Sequence, residues 1–127
     1  MKNLLGAIFL SIAFIFSGCT NAQTIDINSF EKKLDSNVQV LDVRSPQEYS
    51  EGYIPGAINI NVNSADFTER IQSLNQEKPV YIYCRTGNRS RRAAEILKKE
   101  GFKEPIVIEG GFTDWKNAGN EVEMPKE

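Results

Sequence analysis

The chain has 127 residues, 15 Lys+Arg against 17 Asp+Glu for a net charge of −2, and 40% hydrophobic residues, values ordinary for one globular domain. Because it contains no histidine, a Ser-His-Asp triad, a Cys-His dyad and an imidazole metal ligand are excluded. Its 2 cysteines cannot complete a thiolate zinc site or a disulfide framework, and the charge gives no case for nucleic acid. We therefore expect neither metal nor cofactor.

An apolar run opens the chain. It covers residues 4–16 and is shorter than the roughly 20 residues that span a bilayer, but it suits a signal peptide. The run leads into Phe16-Ser17-Gly18-Cys19, which resembles the lipobox of bacterial lipoproteins, with Phe16 where that family most often has leucine. The resemblance implies a signal peptide at residues 1–18, a lipid on Cys19 and export to the periplasmic face of the inner or outer membrane. The alternative is a plain secretory signal cleaved near Ala22, which would leave a soluble periplasmic protein.

Beyond Cys19, helical and strand patterns alternate. Residues 19–25 are predicted to be a polar tether and residues 119–127 a polar tail. Apolar runs predict strands at residues 38–43, 57–62, 80–83 and 105–108. Capping residues predict helices beginning near Asn28, Ser45 and Ser64, and an apolar side that ends at Gly101 predicts a helix over residues 89–100. A last short helix carries Phe112 and Trp115. This order favours a single α/β domain over residues 26–118, with a central parallel sheet and helices on both faces.

A cysteine loop joins the most apolar predicted strand to a helix. Its sequence is Cys84-Arg85-Thr86-Gly87-Asn88-Arg89, and Cys84 stands at the carboxyl end of the strand, where parallel sheets place their ligands. Gly87 lets successive backbone N–H groups turn inward and form an anion cradle with the helix N-terminus. We therefore expect the pKa of Cys84 to lie below the free value of about 8.5. Arg89, Arg91 and Arg92 crowd the first turn of the predicted helix, where positive charge opposes the helix dipole, and this indicates an anionic thiolate and substrate. Arg85 and Arg89 lie within the loop itself, whereas we interpret Arg91 and Arg92 as a solvated face that can pair with Glu95.

Three ordered segments resemble the rhodanese family. One is the loop Cys84-Arg85-x-Gly87-x-Arg89. Upstream of it lie Leu41-Asp42-Val43-Arg44, Glu48-Tyr49 and residues 52–59, and downstream lie Gly101-Phe102 and residues 107–115. The resemblance covers about residues 25–118. It departs from the family at Tyr53, where histidine is common, and we interpret Tyr53 as structural.

The resemblance implies a rhodanese-like fold and a sulfurtransferase. Cys84 would take a sulfane sulfur from a small donor such as thiosulfate as a persulfide, and pass it to an external thiol or to cyanide. The rest of the loop would bind the substrate: Arg85, Thr86, Gly87, Asn88 and Arg89. We interpret four further residues as structural groups near the site, two that tie loops together and two glycines that allow close backbone approach: Asp42, Arg44, Gly110 and Gly111. Glu48 is interpreted in the same way as Asp42 and Arg44, and the alternative for these three is an acid-base role.

Other functions remain open at this point. A cysteine phosphatase or an arsenate reductase also uses a thiolate and an arginine, but cysteine phosphatases need five residues between them and only four separate Cys84 from Arg89. A catalytically weak module that binds or senses persulfides would generally lose the nucleophile, which this chain keeps. If Cys19 carries a lipid, the membrane is a partner and Cys84 is the only thiol left, so the sulfur must leave to an external acceptor.

Overall fold

The structure is a computed structural model that describes residues 22–127. The predicted signal peptide, the predicted lipidation site Cys19 and the first part of the predicted tether lie outside the described residues. Across residues 22–127, none of the helices has both the length and the apolar character needed to cross a membrane.

A five-stranded parallel sheet forms the centre of the domain. Its strands are β1 (Gln23–Ile25), β2 (Gln39–Asp42), β3 (Ile58–Asn59), β4 (Val80–Tyr83) and β5 (Pro105–Ile108). They lie in the order β1-β5-β4-β2-β3, and each neighbouring pair is parallel. Every residue of β4 and β5 is buried, as the apolar runs predict for central strands. The predicted α/β class with a parallel sheet is confirmed.

Helices follow the strands along the chain. They are α1 (Ile27–Lys33), α2 (Pro46–Ser50), α3 (Phe67–Arg70), which continues as a 3₁₀ turn at Ile71–Ser73, α4 (Asn88–Lys99) and α5 (Gly111–Asn117). At the start of α2, the Ser45 hydroxyl accepts from the backbone N–H of Glu48, whose carboxylate reaches back to the Ser45 backbone, the capping box that the sequence predicts. Helix α1 begins at Ile27 and not beyond Asn28, because the Asp26 carboxylate accepts from the Ser29 backbone N–H at 2.9 Å.

The two faces of the sheet bury separate apolar clusters. On one face, side chains of α3 and α4 such as Phe67 and Leu97 pack on Leu41 and Ile82 of the strands, and Cys84 belongs to this cluster. The other cluster joins side chains of α1 and α5, among them Phe30 and Trp115, to alternate strand residues such as Tyr83 and Ile108. Helices therefore cover both faces, as predicted, and the carboxyl edge of the sheet is left for loops.

Part of the predicted tether is a strand. Gln23–Ile25 pairs with β5 in the register Gln23 to Ile106, so the folded domain begins earlier than residue 26. The polarity of this segment is that of an edge strand, whose backbone is paired while the side chains of Gln23 and Thr24 face solvent and Ile25 packs on the core. The assignment of residues 23–25 to the tether is therefore wrong.

The polar tail also packs on the domain. Glu123 forms an antiparallel bridge with Tyr53 through two backbone hydrogen bonds of 2.9 Å. The indole Nε1 of Trp115 donates to the Glu121 carbonyl at 2.7 Å, and the Glu123 carboxylate accepts from the Gly56 backbone N–H at 3.1 Å. Backbone pairing does not depend on apolar side chains, so a segment predicted to be a polar tail closes over the loop that contains Tyr53.

Candidate active site

Cys84 lies at the carboxyl edge of the sheet, directly after β4, and only 1% of its surface is exposed. The chain turns at Gly87, whose φ of 142° is a conformation that L-residues with a side chain rarely adopt, and α4 begins at the next residue. This turn directs the Gly87 backbone N–H at the Cys84 Sγ, 3.0 Å away. A backbone donor therefore faces the sulfur, as in the expected cradle.

Ser90 completes the surroundings of the sulfur, although the sequence motif did not single it out as a site residue. Its oxygen accepts from the Cys84 thiol at 3.6 Å, and its O–H donates to the Gly87 carbonyl at 2.8 Å. The residue is fully buried, on the same side of α4 as Ala93 and Leu97. A hydroxyl on the apolar face of a helix, one turn after a cysteine loop, was the signal that could have found it.

The pKa of Cys84 lies below its usual value. Burial alone would raise it, but the Ser90 O–H can turn from the Gly87 carbonyl to the ionised sulfur. This hydrogen bond and those from the backbone N–H groups of Ser90, Thr86 and Gly87 favour the thiolate and outweigh burial. The direction is the one expected from the sequence. At a given pH, a larger fraction of Cys84 is therefore thiolate than for a free cysteine, with no histidine to take its proton.

Arg89, which is predicted to bind substrate, forms an ion pair with Glu48. Its Nη1 and Nη2 donate to Oε1 and Oε2 of Glu48 at 2.7 and 3.0 Å, a two-point ion pair between α4 and α2. This pair holds the pKa of Glu48 at about 2. Because both outer nitrogens are engaged, Arg89 ties the start of α4 to α2, and the motif spacing could not reveal the partner, which is 41 residues away.

The rim of the site carries the remaining loop side chains. Arg85 and Thr86 are exposed, and so is Asn88, the first residue of α4. Arg85 lines a surface pocket of about 290 Å³ together with Glu51 and Lys116. Since Arg85 forms no ion pair within residues 22–127, its guanidinium is the loop cation left to meet an anionic donor.

A buried polar cluster supports the loop from the neighbouring strand. The Arg44 Nε and Nη2 donate to the Asp42 carboxylate at 2.7 to 3.0 Å, and Nη2 also donates to the Gly52 carbonyl at 2.7 Å. The Tyr83 hydroxyl donates to Asp42 Oδ2 at 2.7 Å and accepts from the Ile54 backbone N–H at 3.0 Å. All these hydrogen bonds join protein groups. The Asp42–Arg44 pair ties the loop after β2 to Gly52, which is consistent with the structural role predicted for both residues.

Gly110 and Gly111 let α5 approach the cysteine loop. Gly111 has a φ of 56°, and a Cβ on it would overlap the Cys84 carbonyl and lie 2.8 Å from that of Arg85. Instead, the Phe112 N–H donates to the Cys84 carbonyl at 2.9 Å and the Thr113 N–H to the Arg85 carbonyl at 3.1 Å. Gly110 has a φ of 76°, and a Cβ there would meet the Asp114 side chain. The start of α5 thus fixes the loop backbone.

Tyr53 lies apart from these contacts. Its ring stacks on that of Tyr49 with centroids 4.0 Å apart, and its backbone pairs with Glu123. It is 8% exposed and belongs to the apolar cluster below α1 and α5.

Within the part of the chain that the structure describes, no cluster of three or more acidic or thiol side chains could hold a metal.

Comparison with known proteins places this site in a family. The family described as "Rhodanese-like domain" matches residues 26–118. The putative sulfur carrier protein YrkF of Bacillus subtilis is 38% identical over 93 residues, which are 72% of this chain and 49% of YrkF. The chain thus spans about half of that relative. The thiosulfate sulfurtransferase GlpE of Pseudoalteromonas translucida is 33% identical over 107 residues, 84% of this chain and 94% of GlpE.

Solved structures agree with the sequence comparisons. The crystal structure of a rhodanese-related protein from Thermoplasma volcanium has a TM-score of 0.73 at 30% identity, covering 81% of this chain and 99% of that one. A rhodanese-like domain protein from Staphylococcus aureus has a TM-score of 0.71 at 31% identity, covering 82% and 99%. Fold, loop and sequence point to the same group: the chain belongs to the rhodanese-like domain family.

Proposed function

We propose that this protein is a sulfurtransferase that moves a sulfane sulfur from a small donor such as thiosulfate to an external thiol or to cyanide, through a persulfide on Cys84. One observation carries the proposal: a buried sulfur 3.0 Å from the Gly87 N–H, with a pKa below that of a free cysteine. A member of the same family, GlpE of Pseudoalteromonas translucida, is a thiosulfate sulfurtransferase by its name.

The first half of the reaction loads Cys84. The thiolate attacks the outer sulfur of thiosulfate, a new S–S bond forms, and the S–S bond of thiosulfate breaks so that sulfite leaves with the electron pair. The backbone N–H groups that favour the thiolate would also hold the persulfide. Arg85 would hold the anionic donor at the rim.

The second half returns the enzyme to its starting state. An acceptor thiolate or cyanide attacks the outer sulfur, the Cys84 S–S bond breaks, and Cys84 leaves as the thiolate. No resolving cysteine is needed, because the acceptor comes from outside. The CX₄R spacing of Cys84 and Arg89 gives a loop one residue shorter than a cysteine phosphatase needs, so we place phosphate or arsenate chemistry below sulfur transfer.

Turnover of thiosulfate with cyanide, measured for the full chain and for Cys84→Ser, tests the catalytic proposal. We expect the variant to lose transfer entirely, and the parent incubated with thiosulfate alone to gain about 32 Da, one sulfur atom, on the peptide that contains Cys84. A sulfur-loaded Cys84 with no turnover toward thiols or cyanide would instead favour a persulfide-binding module. Phosphatase activity that equals sulfur transfer would overturn the proposal.

We further propose that Cys19 carries a lipid that holds the domain at a bacterial envelope membrane. The support is the Phe16-Ser17-Gly18-Cys19 segment after an apolar run of signal-peptide length. More than one acyl chain gives stable anchoring where a single chain does not. Intact mass of the membrane fraction tests this: acyl chains on an N-terminal Cys19 support it, and a soluble chain cleaved near Ala22 contradicts it. Cys19→Ser should release the protein from membranes without removing sulfur transfer.

A further inference from the structure

The surface pocket beside Arg85 adjoins the cysteine loop at both ends. Arg85 directly follows Cys84 and lines this pocket of about 290 Å³. The lining also includes Glu48, whose carboxylate holds Arg89 at the other end of the loop. A small molecule in the pocket would therefore lie beside the loop that surrounds the Cys84 sulfur.

The ring of Phe112 and two cationic groups form the inner wall of the pocket. Phe112 is buried, and the Arg44 guanidinium lies over its ring with Cζ 4.2 Å from the centroid. The ammonium group of Lys116 approaches the same ring, with Nζ 5.8 Å from the centroid. Because the Phe112 N–H donates to the Cys84 carbonyl at 2.9 Å, this wall is fixed to the residue that would carry the sulfur.

Five charged side chains line the pocket, and two of them are already paired. Arg44 is bound by Asp42, and Glu48 is bound by Arg89. The remaining three are exposed and form no ion pair within residues 22–127: Arg85, Lys116 and Glu51. Two cations and one carboxylate of the lining are therefore available to a ligand.

These three groups are separated across the pocket. Glu51 directly follows α2, whereas Lys116 lies in α5, and neither Lys116 nor Arg85 forms an ion pair with Glu51. Asp114, the acid of α5, lies against Gly110 and outside the lining. A ligand that carries both charges can bridge the separation, whereas a purely anionic one would meet Glu51 as well as the cations.

We propose that Glu51 and Lys116 set the acceptor specificity of sulfur transfer, and that they favour a small thiol with both an ammonium and a carboxylate group. The carboxylate would lie against Lys116 and Arg85, and the ammonium group against Glu51. The inference rests on the sulfurtransferase function proposed above and deepens it by naming the class of acceptor.

Arg85 serves the donor and the acceptor in turn, since sulfite has left before the acceptor binds. The acceptor thiol gives its proton to solvent, and the thiolate attacks the outer sulfur of the Cys84 persulfide. A new S–S bond forms on the acceptor, and Cys84 keeps the electron pair of the S–S bond that breaks. The acceptor leaves as a persulfide, and the pocket is again open to the donor.

Four small thiols of different charge test this specificity. Cysteine has both groups, cysteamine the ammonium group alone, 3-mercaptopropionate the carboxylate alone, and 2-mercaptoethanol neither. The full chain is first loaded with sulfur, and the loss of one sulfur mass from the Cys84 peptide gives a second-order rate constant for each thiol. Comparing a variant with the parent for the same thiol cancels the intrinsic reactivity of that thiol, and a single turnover leaves donor binding out of the measurement.

The two pocket variants should affect different thiols. We expect Lys116→Gln to slow transfer to cysteine and 3-mercaptopropionate about two- to fivefold, the range for exposed charge pairs, with no loss for cysteamine or 2-mercaptoethanol. Glu51→Gln should slow transfer to cysteine and cysteamine by a similar factor, with no loss for the other two thiols. Lys116→Arg keeps the charge and should keep the parent's order of acceptors.

Lys126→Gln and Glu127→Gln are the matched controls, because both residues are exposed and lie outside the pocket lining. They should leave all four rates unchanged. Equal effects on all four thiols, or no effect, in pocket variants that unfold as the parent does would overturn the specificity and leave sulfur transfer standing. A protein that takes no sulfur on Cys84, or passes it to no thiol and not to cyanide, would overturn the proposed function itself.

Discussion

Arg89 and Glu48 join the cysteine loop to α2. The guanidinium meets the carboxylate at two points, 2.7 and 3.0 Å, and Glu48 also accepts from the Ser45 hydroxyl at 3.1 Å as part of the capping box. Both side chains are partly buried, with 27% and 29% exposed. The Glu48 carboxylate therefore takes part in the capping box of α2 and also orients the first turn of α4, which supplies backbone N–H groups to the Cys84 sulfur.

Glu48→Gln should lower the free energy of unfolding by about 1 kcal/mol, because it removes the charge of a half-exposed ion pair. The effect should depend on pH. The Arg89 hydrogen bond holds the pKa of Glu48 at about 2, down from 4.5, so the pair stabilises the fold fully above 4.5 and loses that contribution as the pH falls toward 2. Urea unfolding of both proteins across this range measures it.

The matched control for Glu48→Gln is Glu51→Gln, since Glu51 is exposed and forms no ion pair in the described chain. Parent and Glu51→Gln should lose stability together on acidification, and the difference between parent and Glu48→Gln should shrink. A difference that stayed constant down to the lowest pH would contradict the role given to this pair.

Ser90→Ala should raise the pKa of Cys84, because it removes the side-chain hydrogen bond that favours the thiolate while burial is unchanged. We expect sulfur transfer near neutral pH to fall about tenfold, the effect of losing one hydrogen bond to a charged group. The pH dependence of Cys84 alkylation by iodoacetamide measures the shift, and transfer should recover toward higher pH. A rate loss that is the same at every pH would point to a purely structural role for Ser90.

Gly111→Ala should destabilise the domain by about 1 to 3 kcal/mol and reduce sulfur transfer, because the added Cβ overlaps the Cys84 carbonyl and pushes α5 from the loop. Gly119→Ala is the control. Gly119 also has a positive φ, 77°, but nothing lies within 4 Å of its Cβ position. Thermal unfolding and turnover should separate the two variants; equal losses would mean that only backbone strain matters at Gly111.

Tyr83→Phe should cost about 1 to 3 kcal/mol, because it removes a donor from the buried Asp42 carboxylate and leaves the Ile54 N–H without its acceptor. Burial, with the neighbouring Asp42 carboxylate, raises the pKa of Tyr83 far above its usual value, so the hydroxyl keeps its proton and donates at any ordinary pH. Tyr81→Phe on the same strand is the control, since the Tyr81 hydroxyl makes no hydrogen bond to residues 22–127. Denaturant unfolding of both variants tests the difference.

The sequence alone was enough to predict the parallel α/β architecture and the position of Cys84 at the end of β4. Apolar runs alternating with capped helices permit few arrangements, and a cysteine between a buried strand and a helix must lie at the carboxyl edge. The capping box at Ser45 was equally local. Polar segments misled the prediction: Gln23–Ile25 and the residues around Glu123 are ordered by backbone hydrogen bonds, which leave no pattern in side-chain polarity.

The sequence contains no histidine, and this alone excludes every mechanism in which a side chain of this protein acts as an imidazole base. What replaces that base was decided by the tertiary structure. The turn at Gly87 and the first turn of α4 bring backbone donors and the Ser90 hydroxyl to the sulfur, and Glu48 takes the arginine that the motif assigns to substrate. Sequence spacing specifies local geometry, whereas partners more than 40 residues apart meet only when the sheet and its helices are packed.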